Sequence, residues 1–451
     1  MWNRPRVLLA APASGSGKTM ITCGLLQALT LRGMKVASFK CGPDYIDPMF
    51  HEKVIGTKSG NLDLFFADAP LMKRLFCRNS ADVDISVVEG VMGYYDGSQA
   101  DSTEASSYAV ARTLDCPAVL VVNARGQSVS ALATLEGFVR FRADSGIRGV
   151  IFNQMPERIF KALAPQVRAL GVVPLGYVPK ADDLVIESRH LGLVTPDEIR
   201  DLSEKLKRLA ALLEQTVDLD ALIALAKDAP PLDAPPEPDY PAMPETLIAV
   251  ARDEAFCFHY RDNLALLERL GAKLAFFSPI RDAALPEGVQ GLVLYGGYPE
   301  LYARALSENT AMREAIRSAV RGGMPTLAEC GGFMYLHEAL EDMEGTDWPM
   351  AGVIGGRAYR TPKLGRFGYI TLSPNADTAF LPAGETIRAH EFHYFESENC
   401  GTALTAKKPD GVRSWTCGHA EGALLAGFPH LYYESDPNLI VRFLRRCAER
   451  R

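Results

Sequence analysis

The chain has 451 residues, with 48 Lys and Arg against 55 Asp and Glu for a formal charge of -7, and 47% apolar against 23% charged residues. This composition excludes a mostly disordered chain, and a mild acidity with no Lys/Arg block excludes a general nucleic-acid binder. The length allows two or three domains.

At the start of the chain, Arg4 and Arg6 precede an apolar run over 7–11 that is too short for a secretion-signal core and leads straight into a glycine loop. No apolar run of ~18 residues follows, so no transmembrane helix and no membrane partner are expected. Nine cysteines are scattered without a CxxC pair, which argues against a zinc ribbon or a redox motif and for a reduced, cytoplasmic protein.

Short apolar runs over 7–11, 36–39, 85–88, 118–122 and 150–152 alternate with helical patterns over 18–31, 103–113 and 128–141. Such alternation predicts an open parallel α/β sheet. The first strand runs into PASGSGKT at 12–19 and then a helix. Backbone N–H groups and a helix start form an anion site there, with Gly15 and Gly17 free of Cβ atoms, Lys18 reaching the β/γ-phosphates and Thr19 binding Mg²⁺. Pro12 stands where the usual pattern has Gly, and Ala11 where a longer variant would have it. The loop therefore predicts a bound nucleotide, with an incidental Ser/Gly turn as the alternative, and departures in the loop geometry.

Acidic residues follow the strand ends, where an α/β sheet places its ligand. They are Asp44 in KCGPDYIDP at 40–48, Glu89 after 85–88, and Asp96 in VEGVMGYYDG at 88–97. Acidic residues in such turns also bond backbone N–H groups on their own account, which is the reading for Asp47. Glu89, directly after an apolar strand beside the phosphate loop, is read as a contact to metal or its water. Asn153 ends the next strand, either with its amide toward the adenine edge or as a turn former.

Residues 229–244 read APPLDAPPEPDYPAMP, with seven prolines, an extended linker between two domains. Beyond it, strands are predicted over 247–250, 270–277, 292–295, 326–328 and 366–372, with helices over 260–270 and 309–320. The run PTLAECGGFMY at 325–335 has the form of a nucleophile elbow. Cys330 would be the nucleophile, its thiol pKa lowered by the helix start, with Gly331 and Gly297 as oxyanion donors. A buried structural cysteine is the bland alternative. Among His259, His337, His390, His393, His419 and His430, the last is the base by its place near the C-terminus. The HEFH run at 390–393 has the wrong spacing for a helical metal pair.

Together with ESRHLGL at 187–193, AVARDEAF at 249–256 and GGYPE at 296–300, these segments resemble the cobyrinic acid a,c-diamide synthase family over nearly the whole chain. The resemblance implies a dethiobiotin-synthetase-like P-loop domain over 1–228, the linker over 229–245, and a flavodoxin-like class I glutamine amidotransferase domain over 246–451. It implies that glutamine is hydrolysed at Cys330 and His430, and that ATP·Mg²⁺ at Gly15, Gly17, Lys18, Thr19 and Asn153 turns a substrate carboxylate into an acyl phosphate. Thr19, Asp44 and Glu89 would serve the metal. Ammonia would cross shielded from water to form the amide. The substrate would be a corrin polycarboxylate, amidated at its a and c acetates. Tyr45 and Asp96 are expected at it, and so anionic a substrate should also meet positive groups, for which Arg189 and His190 are the candidates, with a surface turn as the alternative reading of that segment. Hydrogenobyrinic acid and nickel-sirohydrochlorin are equivalent substrates of similar proteins, and the dethiobiotin-synthetase likeness suggests a homodimer. Broader glutaminases carry His-x-Glu, where this chain has Tyr432 and, two further on, Glu434. A P-loop switch ATPase is the reading from another class, and the cysteine elbow speaks against it.

Overall fold

Strands that are apolar on both sides need helices on both faces, and the sequence supplies them in alternation. The computed structural model describes residues 1–184, 196–241 and 243–450, apart from the side chains of 182 and 196–200. It divides into two units, Met1–Glu237 and Pro238–Arg451.

The first unit is built on seven parallel strands: β1 (Arg6–Ala10), β2 (Val36–Cys41), β3 (Lys58–Leu62), β4 (Ile85–Glu89), β5 (Ala118–Asn123), β6 (Ile147–Asn153) and β7 (Val173–Val178), in the order β3-β2-β4-β1-β5-β6-β7. The order reverses at β1, so the crevice beyond its C-terminal end is the natural ligand position. Helix α1 (Lys18–Leu31) starts there and covers one face together with helix Pro196–Thr216. Gly24 lets the two helices approach, since a Cβ on it would lie 2.6 Å from Leu213 and 2.7 Å from Leu209.

Strands β3 and β7 went unforeseen. KSGNL carries none of the β-branched or aromatic residues that mark a strand, and β7 is interrupted by Pro174 and Gly176. The helix expected over 103–113 begins only at Ser107, because the Ser106 hydroxyl accepts from Ala109 N–H and caps it. The first half of the proline-rich segment is not a free linker. Leu232 is buried and pairs with Trp2, and Arg6 donates to the Pro230 carbonyl at 2.7 Å.

The second unit has a parallel sheet of β8 (Thr246–Ala251), β9 (Ala272–Phe277), β10 (Gly291–Leu294), β11 (Thr326–Glu329) and strand Leu424–Gly427, which neighbours β11 at the edge. Between β11 and that edge strand, and with one short strand after it, the chain forms two more sheets. One has five antiparallel strands, among them Arg366–Pro374, Ile387–His393 and His430–Leu431. The other has four, among them His337–Glu341 and Ile354–Arg360. Only one of these strands was predicted outright, with HEFH read as strand-like. The alternation seen before the linker therefore extends to one of the three sheets here.

Candidate active sites

In the first unit, fully buried β1 delivers the loop and α1 carries it away. Gly15 and Gly17 have φ of +77° and +93°, the left-handed region that favours glycine. A Cβ on Gly17 would also lie 2.2 Å from Asn153 Nδ2. That amide donates to Ser16 O at 2.9 Å while its oxygen accepts from Gln154 N–H at 3.0 Å, so Asn153 pins the loop from the end of β6. Tyr94 N–H donates to Ala11 O at 2.9 Å, and a Cβ on Gly93 would lie 2.7 Å from Pro12 O. The residues that depart from the usual loop pattern are thus held by the segment after β4.

Beside the loop opens a cavity of about 610 Å³ lined by Gly17, Lys18, Thr19, Lys40, Asp44 and Asp47, among others. Lys18 Nζ donates to Met92 O at 2.6 Å, and burial and the charge of Lys40 bring its pKa down to about 8. Glu89 is fully buried behind the lining. Its Oε1 accepts from Thr19 Oγ1 at 2.6 Å and from Lys40 Nζ at 2.7 Å, and Lys40 also meets Asp47 at 2.5 Å. Burial works against the charge of Lys40, but Glu89, Asp47 and Asp44 outweigh it and hold its pKa up. Asp44 Oδ1 accepts from Ile46 and Asp47 N–H at 2.8 and 3.1 Å, and burial with the nearby Asp47 pushes its carboxyl up to about 6.

These groups suit Mg²⁺ arriving with phosphates. With its proton committed to Glu89, the Thr19 hydroxyl keeps lone pairs for a cation, and Asp44 adds a carboxylate.

Lys40 and Asn61 escaped sequence reasoning. Asn61 Nδ2 donates to the carbonyls of Gly42 and Asp44 at 2.9 and 2.7 Å and so fixes the loop after β2. Tyr45 and Asp96, expected at the substrate, do not line the cavity; Asp96 is exposed and accepts from Gly93 N–H at 2.9 Å, a turn bond. Arg189 and His190 lie outside the described residues.

In the second unit, Cys330 follows β11 at φ +46°, a strained conformation for a non-glycine residue, and starts the short helix Gly331–Tyr335. A Cβ on Gly331 would lie 3.0 Å from Gly297 N, so the two expected oxyanion donors are neighbours. The thiol pKa runs opposite to expectation. Burial, then the carboxyl of Glu300, push it well above the ordinary thiol range, against the N–H of Gly331. A five-residue helix cannot offset the loss of solvent around a side chain this enclosed.

Register brings His430 here. Glu329 pairs with Gly427 across the parallel strands, Cys330 N–H donates to Gly427 O at 2.8 Å, and His430 comes three residues later. Its ring fills the space over Gly296, where a Cβ would lie 2.3 Å from Cε1. Burial, with His390 and His393 nearby, brings the imidazole down to about 3. His390 pairs with His430 across antiparallel strands, ring centroids 6.5 Å apart. Among the described residues this histidine cluster forms no metal cage.

Residues 7–194 match the model of the CobQ/CobB/MinD/ParA nucleotide binding domain, and 247–437 that of the CobB/CobQ-like glutamine amidotransferase domain. The cobyrinate a,c-diamide synthase of Salmonella typhimurium is 40% identical over 97% of this chain and 97% of its own. This chain belongs to that family. Family members of the same name from Caldanaerobacter subterraneus and Gloeobacter violaceus are 38% and 40% identical, each over 98% of this chain and over 98% and 96% of their own. Both halves of the family's two-part organisation thus have their counterpart among the sites described: a phosphate loop within the first match and a cysteine elbow within the second.

Proposed function

We propose that this chain amidates the a and c acetate carboxylates of cobyrinic acid, using ATP and ammonia drawn from glutamine, in cobalamin biosynthesis. The observation that carries this reading is the likeness to named synthases along nearly the whole chain, with a phosphate-loop cavity in one unit and a cysteine elbow in the other.

At the first site, the N–H groups of residues 15–19 and Lys18 bind the phosphates. Thr19 and Asp44 would hold Mg²⁺, with Glu89 behind them, and the ion supplies charge neutralisation as the phosphoryl group passes to a substrate carboxylate. Ammonia then displaces phosphate from the acyl phosphate. Asn153, bonded to the loop, keeps one amide hydrogen and one lone pair for the adenine edge. Tyr45, Asp96, Arg189 and His190 remain our proposal for contacts to the corrinoid.

At the second site, His430 takes the Cys330 proton as the thiolate attacks the glutamine amide carbon, and the carbonyl electron pair moves onto oxygen near the N–H groups of Gly297 and Gly331. Collapse expels the nitrogen, which takes the proton from His430 and leaves as ammonia. Water then splits the glutamyl thioester to glutamate and the thiol. Nine cysteines without a disulfide support a reducing, cytoplasmic setting, and among the described residues no helix is long and apolar enough to cross a membrane. We also propose a homodimer, which light scattering would test.

Mass spectrometry with cobyrinic acid, hydrogenobyrinic acid and nickel-sirohydrochlorin in parallel, each with glutamine and ATP, tests the reading. Two successive OH-to-NH₂ steps on cobyrinic acid are expected, lost in Cys330→Ala with glutamine and restored by ammonia. Amidation of another macrocycle alone, or of none, overturns the substrate. Arg189→Ala should raise the corrinoid KM with glutaminase intact; equal loss of both would refute that contact.

A further inference from the structure

The register that sets strand Leu424–Gly427 beside β11 also turns a carboxyl group toward His430. Glu329, the residue before Cys330, is buried. Its Oε1 accepts from Tyr433 Oη at 2.9 Å, and its Oε2 accepts from Leu431 N–H at 3.3 Å and lies 4.0 Å from His430 Nδ1. The residues two and four positions after the histidine are committed elsewhere: Tyr432 donates to Asp262 at 3.0 Å, and Glu434 pairs with Arg269 at 2.8 Å.

We propose that Glu329 is the positioning residue of the glutaminase site, accepting from His430 Nδ1–H and so fixing the tautomer whose Nε2 can take the Cys330 proton. This rests on the reading of Cys330 and His430 as the glutaminase pair. A base needs a third group to hold its tautomer, and that role is defined by geometry, not by position in the chain. Two bonds clamp the Glu329 carboxyl, so it faces His430 without choice of rotamer. Closing 4.0 Å to a hydrogen bond takes a movement of about 1 Å, and such bonds are commonly long before substrate binds. Glu329 neither gives nor receives a proton in the cycle; its ionised form steadies the imidazolium that forms when Cys330 is deprotonated.

The ionisable groups facing this pair are Tyr295 and Tyr433 beside Glu329, Cys330 next to it, and His390 and His393 beside His430. Burial pushes the Glu329 carboxyl up to about 8, opposed by the bonds from Tyr433 and Leu431. Glutaminase turnover should therefore rise with pH through that ionisation.

The test measures glutaminase kcat, KM and pH profile in the full-length protein, beside ammonia-supported amidation. Glu329→Gln should lower kcat about tenfold or more with KM unchanged, remove the rising limb and leave ammonia-supported amidation intact. Tyr433→Phe, which removes one donor to the carboxylate, should move the limb to higher pH. Wild-type kcat and profile in Glu329→Gln, or equal loss of the ammonia-supported reaction, overturns the proposal. If Glu329→Gln does not fold, an unmoved limb in Tyr433→Phe overturns it. Glutaminase surviving in Cys330→Ala would instead overturn the reading on which the proposal rests.

Discussion

Within the phosphate-loop cavity the ammonium of Lys18 rests on the carbonyl of Met92, whereas that of Lys40 sits between the carboxylates of Glu89 and Asp47. Of the two, Lys18 is thus the cation available to an incoming anion, and Lys40 the one whose charge opposes the rise that burial imposes on the Glu89 carboxyl. Lys18→Met should cut ATP-dependent amidation about a hundredfold or more with either glutamine or ammonia as nitrogen source, while glutamine hydrolysis assayed alone persists. Lys40→Met should instead destabilise the first unit by about 3–5 kcal/mol, read as a lower melting temperature, because it strands a buried carboxylate. The place of Lys18 in the cavity was legible because the loop that sets it is written in adjacent residues. Lys40 was not, because Glu89 lies 49 residues on and only the pairing of β2 with β4 unites them. The same limit hid Glu329, whose bonds reach 102 and 104 residues along the chain.

The elbow after β11 is an element whose shape depends on glycine for space. A Cβ on Gly332 would lie 2.2 Å from the Leu294 carbonyl, a backbone atom of β10 that cannot swing aside. Gly332→Ala should therefore shift the start of the helix and lower glutaminase kcat about a hundredfold, with ammonia-supported amidation kept. Parallel assays of the two reactions check this. Strand, sharp turn and helix were readable in order because they are contiguous. The neighbour of β11 was not, because almost a hundred residues, with most strands of two further sheets among them, separate it from Leu424–Gly427, and alternating apolar residues announce a strand without naming its partner.

Across the second unit as a whole, buried ionisable groups set opposing pH dependences. Burial brings His390 and His430 to about 3 and His337 and His393 to about 4, against 6.5 when unfolded. The unfolded chain binds more protons through that window, so stability rises with pH up to about 6.5. Burial raises Glu300 and Glu391 to about 7 and Glu329 to about 8, against 4.5 unfolded. Here the folded state binds more protons, so stability falls as pH rises to about 8. Thermal melting should peak near pH 6.5, and Glu391→Gln should flatten the decline on the alkaline side; a melting temperature still climbing at pH 8 would contradict this. The same burial has a consequence for Cys330. Peroxide and other electrophiles attack the thiolate, and an enclosed thiol that keeps its proton presents them with little of it. On the reading of Cys330 as the nucleophile, burial thus shields from oxidation the sulfur that the proposed chemistry needs.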